Sequence, residues 1–281
     1  MSDLGGGYNG NASLKRLGVE ISYTEEQVTE IVKCSEDPIY FIKNYVKIVN
    51  VDKGLVPFDM WPFQENMVTE FHNNRFSICK MPRQVGKTTT TVGYMLWCVL
   101  FNIDYKIAIL ANKGSLAREI LGRIQYAYEY LPLWLQQGIK TWNKGNIELE
   151  NGSMIWAYAT SASGVRGGTY NLVFLDEFAF VQHNMAQDFF TSTYPVISSG
   201  KTTKVIIVST PNGLNMFYKM WVDAIEGRST YKPLEVHWSQ VPGRDEAWKE
   251  ETIRNTSEEQ FRQEFRSEEH TSELQSQFRI S

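Results

Sequence analysis

The 281-residue chain has few of the features that mark secreted, membrane-spanning or fibrous proteins. Its three cysteines, Cys34, Cys79 and Cys98, are odd in number and far apart, and two of them stand inside apolar runs, which argues against both a disulfide framework and a zinc site. They read as small core residues in a reducing compartment. No apolar run reaches the ~18 residues of a membrane span, and the opening Met-Ser-Asp-Leu-Gly-Gly-Gly lacks the basic and apolar regions of a secretory signal. Positive charge is not in excess either. With 28 Lys and Arg against 32 Asp and Glu the net charge is -4, which argues against a uniformly basic nucleic-acid coat and leaves room for a basic patch on one face. There is no internal repeat and no low-complexity tract. The expectation is a soluble intracellular protein with no membrane partner.

What is present is enough apolar content, 42%, to bury one large core. Residues 1–22, rich in Gly, Asn and Ser, are expected to be flexible, whereas Thr24-Glu-Glu-Gln-Val-Thr-Glu-Ile-Val-Lys33 opens with a cap and first-turn carboxylates and predicts a small N-terminal helical appendage. Beyond it, Phe76 to Met81, Lys106 to Ala111, Leu172 to Asp176 and Val205 to Thr210 read as strands, with helical stretches after the first, second and fourth. Strands separated by helices predict a parallel sheet. Between the second and third, two strand-like runs flank Asn151-Gly152, a hairpin signal within residues 146–158.

The chemistry concentrates at the ends of these strands. Ile78-Cys-Lys-Met-Pro-Arg-Gln-Val-Gly-Lys-Thr-Thr-Thr-Thr91 ends like a phosphate-binding loop, G-x-x-x-x-G-K-[ST], but has Met81 where the first glycine belongs. Such a loop needs backbone N–H groups at a strand-to-helix turn, a lysine for the terminal phosphates and a hydroxyl for magnesium. Gly86, Lys87 and Thr88 stand in those places, before a helix predicted over Thr88 to Leu100; the alternative is an ordinary turn with an exposed lysine. Asn171-Leu-Val-Phe-Leu-Asp-Glu-Phe178 is a buried strand ending in two acids, either solvated or a magnesium-orienting Asp176 and a water-polarising Glu177. Val205-Ile-Ile-Val-Ser-Thr-Pro-Asn-Gly213 would bring Ser209, Thr210 and Asn212 to the same edge as a γ-phosphate sensor. Gln64, in Phe58-Asp-Met-Trp-Pro-Phe-Gln64, is either a surface glutamine or an adenine contact.

The order Pro-Phe-Gln, Arg-Gln-Val-Gly-Lys-Thr-Thr, Val-Arg-Gly-Gly, Phe-Leu-Asp-Glu-Phe-Ala-Phe and Ser-Thr-Pro-Asn-Gly resembles the ATPase domain of large terminase subunits, the DNA-packaging motors of tailed bacteriophages, particularly the T-even type. The likeness runs from about Glu25 to Phe265. It implies an α/β phosphate-loop NTPase fold, RecA/ASCE-like, with a mainly parallel central sheet flanked by helices. It also implies ATP binding by Arg83, Gln84, Gly86, Lys87, Thr88 and Thr89, with Gln64 on the adenine. Magnesium would fall to Thr88 and Asp176, catalysis to Glu177, and coupling of hydrolysis to motion to Ser209, Thr210 and Asn212. By the same resemblance Met81 is a tolerated departure. Arg83 could stabilise the γ-phosphoryl charge in cis, while Arg166, in Ser163-Gly-Val-Arg-Gly-Gly168, could reach a neighbouring subunit's site or bind DNA phosphate. The implied partners are double-stranded DNA, a capsid portal protein, a small terminase subunit and further copies in a ring on the portal, in the host cytoplasm and transiently at the procapsid.

Large terminases continue into a nuclease domain, which these residues do not include, so no DNA cleavage is expected of them. Residues 23–265 are assigned to the ATPase domain. Arg266-Ser-Glu-Glu-His-Thr-Ser-Glu-Leu-Gln-Ser276 breaks with the family pattern and matches the translation of a common sequencing-library adapter; 266–281 is expected to be a non-native or disordered tail. Two rivals stand beside this reading. A DEAD-like helicase would need a second RecA-like domain that the about 70 residues after Thr210 cannot supply. A non-catalytic nucleotide-dependent scaffold would keep Lys87 but has no use for Glu177.

Overall fold

Local sequence signals account for most of the elements in the computed structural model, which describes residues 7–160 and 168–266. Thr24 caps helix α1 (Glu25–Glu36): its hydroxyl accepts from the Gln27 N–H while the Gln27 side chain accepts from the Thr24 N–H. Asp37 caps α2 (Pro38–Tyr45), and proline again opens α3 (Pro62–Asn73) after a small antiparallel hairpin of β1 (Lys47–Asn50) and β2 (Gly54–Pro57). There follow β3 (Phe76–Lys80), α4 (Lys87–Phe101), β4 (Lys106–Ala111), α5 (Gly114–Glu129), β5 (Ile139–Trp142), β6 (Asn146–Leu149), β7 (Met154–Ala159) and β8 (Leu172–Asp176). The last elements are α6 (His183–Ser199), β9 (Lys204–Ser209), α7 (Met216–Ile225), β10 (Lys232–Glu235), α8 (Glu246–Asn255), α9 (Glu258–Phe261) and a final π-turn, Arg262–Arg266.

Strands β3 to β10 form one eight-stranded sheet in the order β10-β3-β9-β8-β4-β7-β6-β5. The first six in that order run parallel, β6 runs antiparallel to β7, and β5 runs antiparallel to β6. Because side chains alternate across a sheet, successive residues of one strand serve different layers. Leu172 and Phe174 face α4 and α5 with Tyr94, Leu96 and Leu121, whereas Val173 and Leu175 face α6 and α7 with Phe189, Phe217 and Trp221. Burial on both faces is why these strands read as unbroken apolar runs. The hairpin at Asn151-Gly152 is present between β6 and β7; Gly152 has φ +80°, and a Cβ there would lie 1.9 Å from Asp104 Oδ1, so only glycine fits.

Some features differ from expectation. β3 and β9 each stop one residue before the predicted strand end, and β5, β10, the β1–β2 hairpin and the helix α6 after β8 were not foreseen. Residues 1–22 were expected to be flexible, yet part of this stretch is pinned along the border strand β5. Leu14 is buried, the Ile139 N–H donates to the Lys15 carbonyl at 3.0 Å, and the Gly18 N–H donates to Glu150 Oε1 at 3.1 Å. The polar composition hid one apolar anchor and an open sheet border in need of partners. At the opposite border, β10 carries Pro233, which contributes no N–H donor.

Gln136 holds the pinned segment from below. Its buried amide accepts from the Lys15 N–H at 2.9 Å and donates to the carbonyls of Ser13, at 2.8 Å, and Leu131, at 2.9 Å. Gln136→Ala leaves those backbone groups without partners and is expected to cost about 2 kcal/mol. Urea unfolding with amide exchange at Lys15 measures this; unchanged stability and exchange would show that the segment is held elsewhere.

Candidate active site

The turn from β3 into α4 explains why methionine is tolerated where a glycine was expected. Met81 is fully buried, its N–H donates to the Ser209 carbonyl at 3.1 Å, and its φ is not positive, so the position extends the strand ladder and needs no glycine. The left-handed conformations come later, at Gln84 (φ +58°) and Gly86 (φ +73°). Gly86 is obligatory twice over, since a Cβ there would also lie 2.5 Å from Gln64 Nε2. Gln84 adopts the left-handed region with a side chain, a strain on the order of 1 kcal/mol.

Gln64 is buried at the first turn of α3, where its Oε1 accepts from the Trp61 N–H at 2.9 Å and its Nε2 donates to the Val85 carbonyl at 3.0 Å. Its amide therefore braces the loop from beneath. Beside it lies a cavity of about 280 Å³ lined by Phe63, Asn66, Met67, Met81, Glu235 and Gln240.

Three strand ends and the start of α4 converge on Lys87. Lys87 is only 7% exposed; its ammonium pairs with Glu177 Oε1 at 3.1 Å and donates to Thr210 Oγ1 at 3.2 Å. Thr88, one residue on, donates its hydroxyl to Asp176 Oδ2 at 3.2 Å. Thr89 is half-buried on the same first turn, and the Thr90 and Thr91 hydroxyls bond back to the carbonyls of Gly86 and Lys87 at 3.0 Å each. Glu177 has φ +50° and opens a short turn, Phe178–Phe180, whose position is fixed by the strand next door. Ser209 Oγ accepts from the Ala179 N–H at 3.0 Å, while Asn212 and Asn215 donate to the Ala179 carbonyl at 3.3 and 2.7 Å. Ser209, Thr210 and Asn212 thus touch the lysine and the turn that carries Glu177. Asn215 was missed by the sequence reading, although an Asn before an apolar helical run is a capping signal; it caps α7 through Tyr218.

Electrostatics single out Asp176. Burial, then the neighbouring Glu177 charge, raises its pKa to about 6, against the lowering effects of Lys87 and the Thr88 hydroxyl. Asp176 Oδ1 and Glu177 Oε2 are buried without hydrogen-bond partners. Orphaned carboxylate oxygens beside a threonine hydroxyl fit a divalent cation. Among the described residues no cluster of three or more His, Cys, Asp or Glu gathers to hold a metal.

Arg83 is turned to the chain's C-terminal segment: its guanidinium pairs with the Glu264 carboxylate and lies 5.8 Å from the centre of the Phe180 ring, and its N–H donates to the Glu264 carbonyl at 3.0 Å. Glu264 and its neighbour in this contact, Arg244, were not singled out from sequence, because nothing local signals a contact across 161 positions. Arg166 lies outside the described residues, as does most of its glycine-rich loop.

The family model described as "Terminase large subunit, T4likevirus-type, N-terminal" matches residues 78–273. Among solved structures, the bacteriophage HK97 large terminase superposes with a TM-score of 0.68 at 19% identity, covering 83% of this chain and 55% of that one. The ATPase domain of the Thermus phage P74-26 large terminase gives 0.59 at 19% identity, covering 72% and 92%. The large terminase of a thermophilic bacteriophage in complex with ATP-gamma-S gives 0.52 at 15%, covering 69% and 49%. These likenesses support the phosphate-loop α/β fold; the chain spans nearly all of the isolated ATPase domain and about half of the full-length terminases.

The raised pKa of Asp176 predicts a specific pH dependence in metal-free buffer. A carboxyl that holds its proton more tightly when folded than when unfolded costs stability once pH rises from 3.8 through about 6. Asp176→Asn removes that cost. At pH 8 with a chelator the variant should be more stable than the unmodified protein by on the order of 2 kcal/mol, the gap closing below pH 4. Parallel denaturation curves with no pH-dependent gap would contradict the assignment.

Proposed function

We propose that this chain, which belongs to the family of T4-type large terminase subunits and matches it over their N-terminal region, is a magnesium-dependent ATPase that drives double-stranded DNA into a viral procapsid. The observation that carries the reading is the meeting of Lys87, Glu177 and Thr210 within 3.2 Å, beside the Thr88–Asp176 pair. A lysine buried against a carboxylate is poised to exchange partners. When a polyphosphate lies along the loop, its oxygens compete for the ammonium, and Glu177 is released to orient a water and accept its proton. Bound magnesium, held by Thr88 and Asp176, would neutralise the charge that builds on the phosphate oxygens. The N–H groups of the loop and the start of α4 supply fixed donors to the same oxygens.

The base would enter the cavity between α3 and the end of β10, with Gln64 tying that cavity to the loop through Val85. Arg83, paired with Glu264 in this structure, would trade that carboxylate for the γ-phosphate as a cis arginine. Arg166 is assigned the trans role toward a neighbouring copy in a ring. Thr210, Ser209 and Asn212 bridge the lysine and the Glu177 turn, so loss of the terminal phosphate is transmitted to α7. The proposed partners are DNA, a portal protein, a small terminase subunit and further copies of this chain, in the host cytoplasm and at the procapsid portal. No helix among the described residues is long and apolar enough to cross a membrane. The proposal assigns no nuclease chemistry to these residues.

Glu177→Gln should abolish magnesium-dependent ATP turnover while keeping ATP affinity within a few fold, because an amide cannot take a proton from water. Turnover at the unmodified rate would sink the catalytic role of Glu177. For the arginines, Arg83→Ala should be inactive even at dilutions where the protein is monomeric. Arg166→Ala mixed with Lys87→Ala should regain activity under assembling conditions, since an intact loop then meets an intact finger. An Arg166→Ala protein already inactive as a monomer and never rescued would count against the trans role.

A further inference from the structure

The loop's strained residue is held by a side chain from the far end of the chain. Val241-Pro242-Gly243-Arg244 forms a turn with proline second and glycine, at φ +83°, third, closed by the Arg244 N–H on the Val241 carbonyl at 3.1 Å. Asp245 then caps α8 by accepting from the Trp248 N–H at 2.8 Å. These two local signals aim Arg244 at the phosphate loop. Its Nη2 donates to the carbonyls of both Arg83, at 3.1 Å, and Gln84, at 3.3 Å. Its guanidinium lies over the ring of Trp248 at 4.8 Å and near that of Phe265 at 5.3 Å, so the fork is clamped between aromatic groups. Burial holds its pKa below the usual guanidinium value, and Nη1 is buried without a hydrogen-bond partner.

The two carbonyls flank the peptide that turns left-handed at Gln84. Without a holder, that strained turn would relax in the empty protein, and nucleotide binding would have to restore it. We propose that Arg244 is a positioning residue for the nucleotide: it fixes the Arg83 and Gln84 carbonyls so that the phosphate loop is already shaped before ATP arrives. The second clasp, from Arg83 to Glu264, breaks when Arg83 turns to phosphate; Arg244 bonds only to backbone and need not let go. Its contribution is made equally to bound substrate and to the transition state, so it appears in KM and not in kcat. This inference rests on the ATPase reading above.

The test compares the unmodified chain with Arg244→Ala and Arg244→Lys, measuring ATP turnover with magnesium and equilibrium binding of ATP-gamma-S. The expected result is a rise of about tenfold in KM and Kd for Arg244→Ala, with kcat within about threefold, since two charge-assisted hydrogen bonds are lost. Arg244→Lys, which can serve one carbonyl, should rise about threefold, and it decides the matter if the alanine variant does not fold. Millimolar guanidinium should lower the KM of Arg244→Ala and leave that of the unmodified chain in place. Unchanged KM in a folded variant, or kcat lost with KM intact, overturns the clasp alone. No ATP turnover by the unmodified chain overturns the ATPase reading, and this inference with it.

Discussion

A single buried ammonium holds the site together. Lys87 is the cation shared by two adjacent strand-end carboxylates, and it is in direct contact with one of them and with Thr210. Taking it away would strand the buried Asp176 beside the half-buried Glu177 with no cation between them, a destabilising change. The raised pKa of Asp176 shows that the compensation is incomplete. The site is therefore electrostatically unfinished: two carboxylate oxygens lack hydrogen-bond partners, and one ammonium has several claimants.

Sheet order makes that arrangement available. β9 lies between β3, which leads into the phosphate loop, and β8, which ends in the acids. The register sets Ser209 beside Lys80 and Val208 beside Asp176, so the residues that follow β9 emerge between loop and acids. Thr210 then reaches the lysine while Ser209 reaches the Glu177 turn. Any shift in the packing of β9 is felt by both halves of the site together, a geometric reason for a coupling role at these positions.

Sequence gave direct access to features with local causes. The Thr24 cap, the strands Lys106–Ala111 and Leu172–Asp176, the hairpin at Asn151-Gly152 and the motif residues at strand ends all follow from propensity, periodicity and turn chemistry within a short window. Hidden features had distant causes. β5 and β10 are short border strands with little pattern of their own, and Leu14 is buried only because β5 offers it a border to lie against. Gln64 reads as polar, and its buried bracing of Val85 depends on how α3 is set against the loop. Arg244 sits in a turn and Glu264 in a charged, helical stretch, and both look like solvent-facing surface until the fold brings them to Arg83.

The borders of the large sheet have a bearing on how such a molecule coexists with its own copies. One rim is occupied by the chain's own early residues, which pair with Ile139, and the other is a four-residue strand containing a proline. Exposed strand rims are where sheets of separate molecules fuse and where crowded polypeptide aggregates. Here both rims are blunted, so copies packed densely around a common axis would meet through helices and loops, surfaces that can slide and re-form within a working cycle without zipping into a continuous sheet.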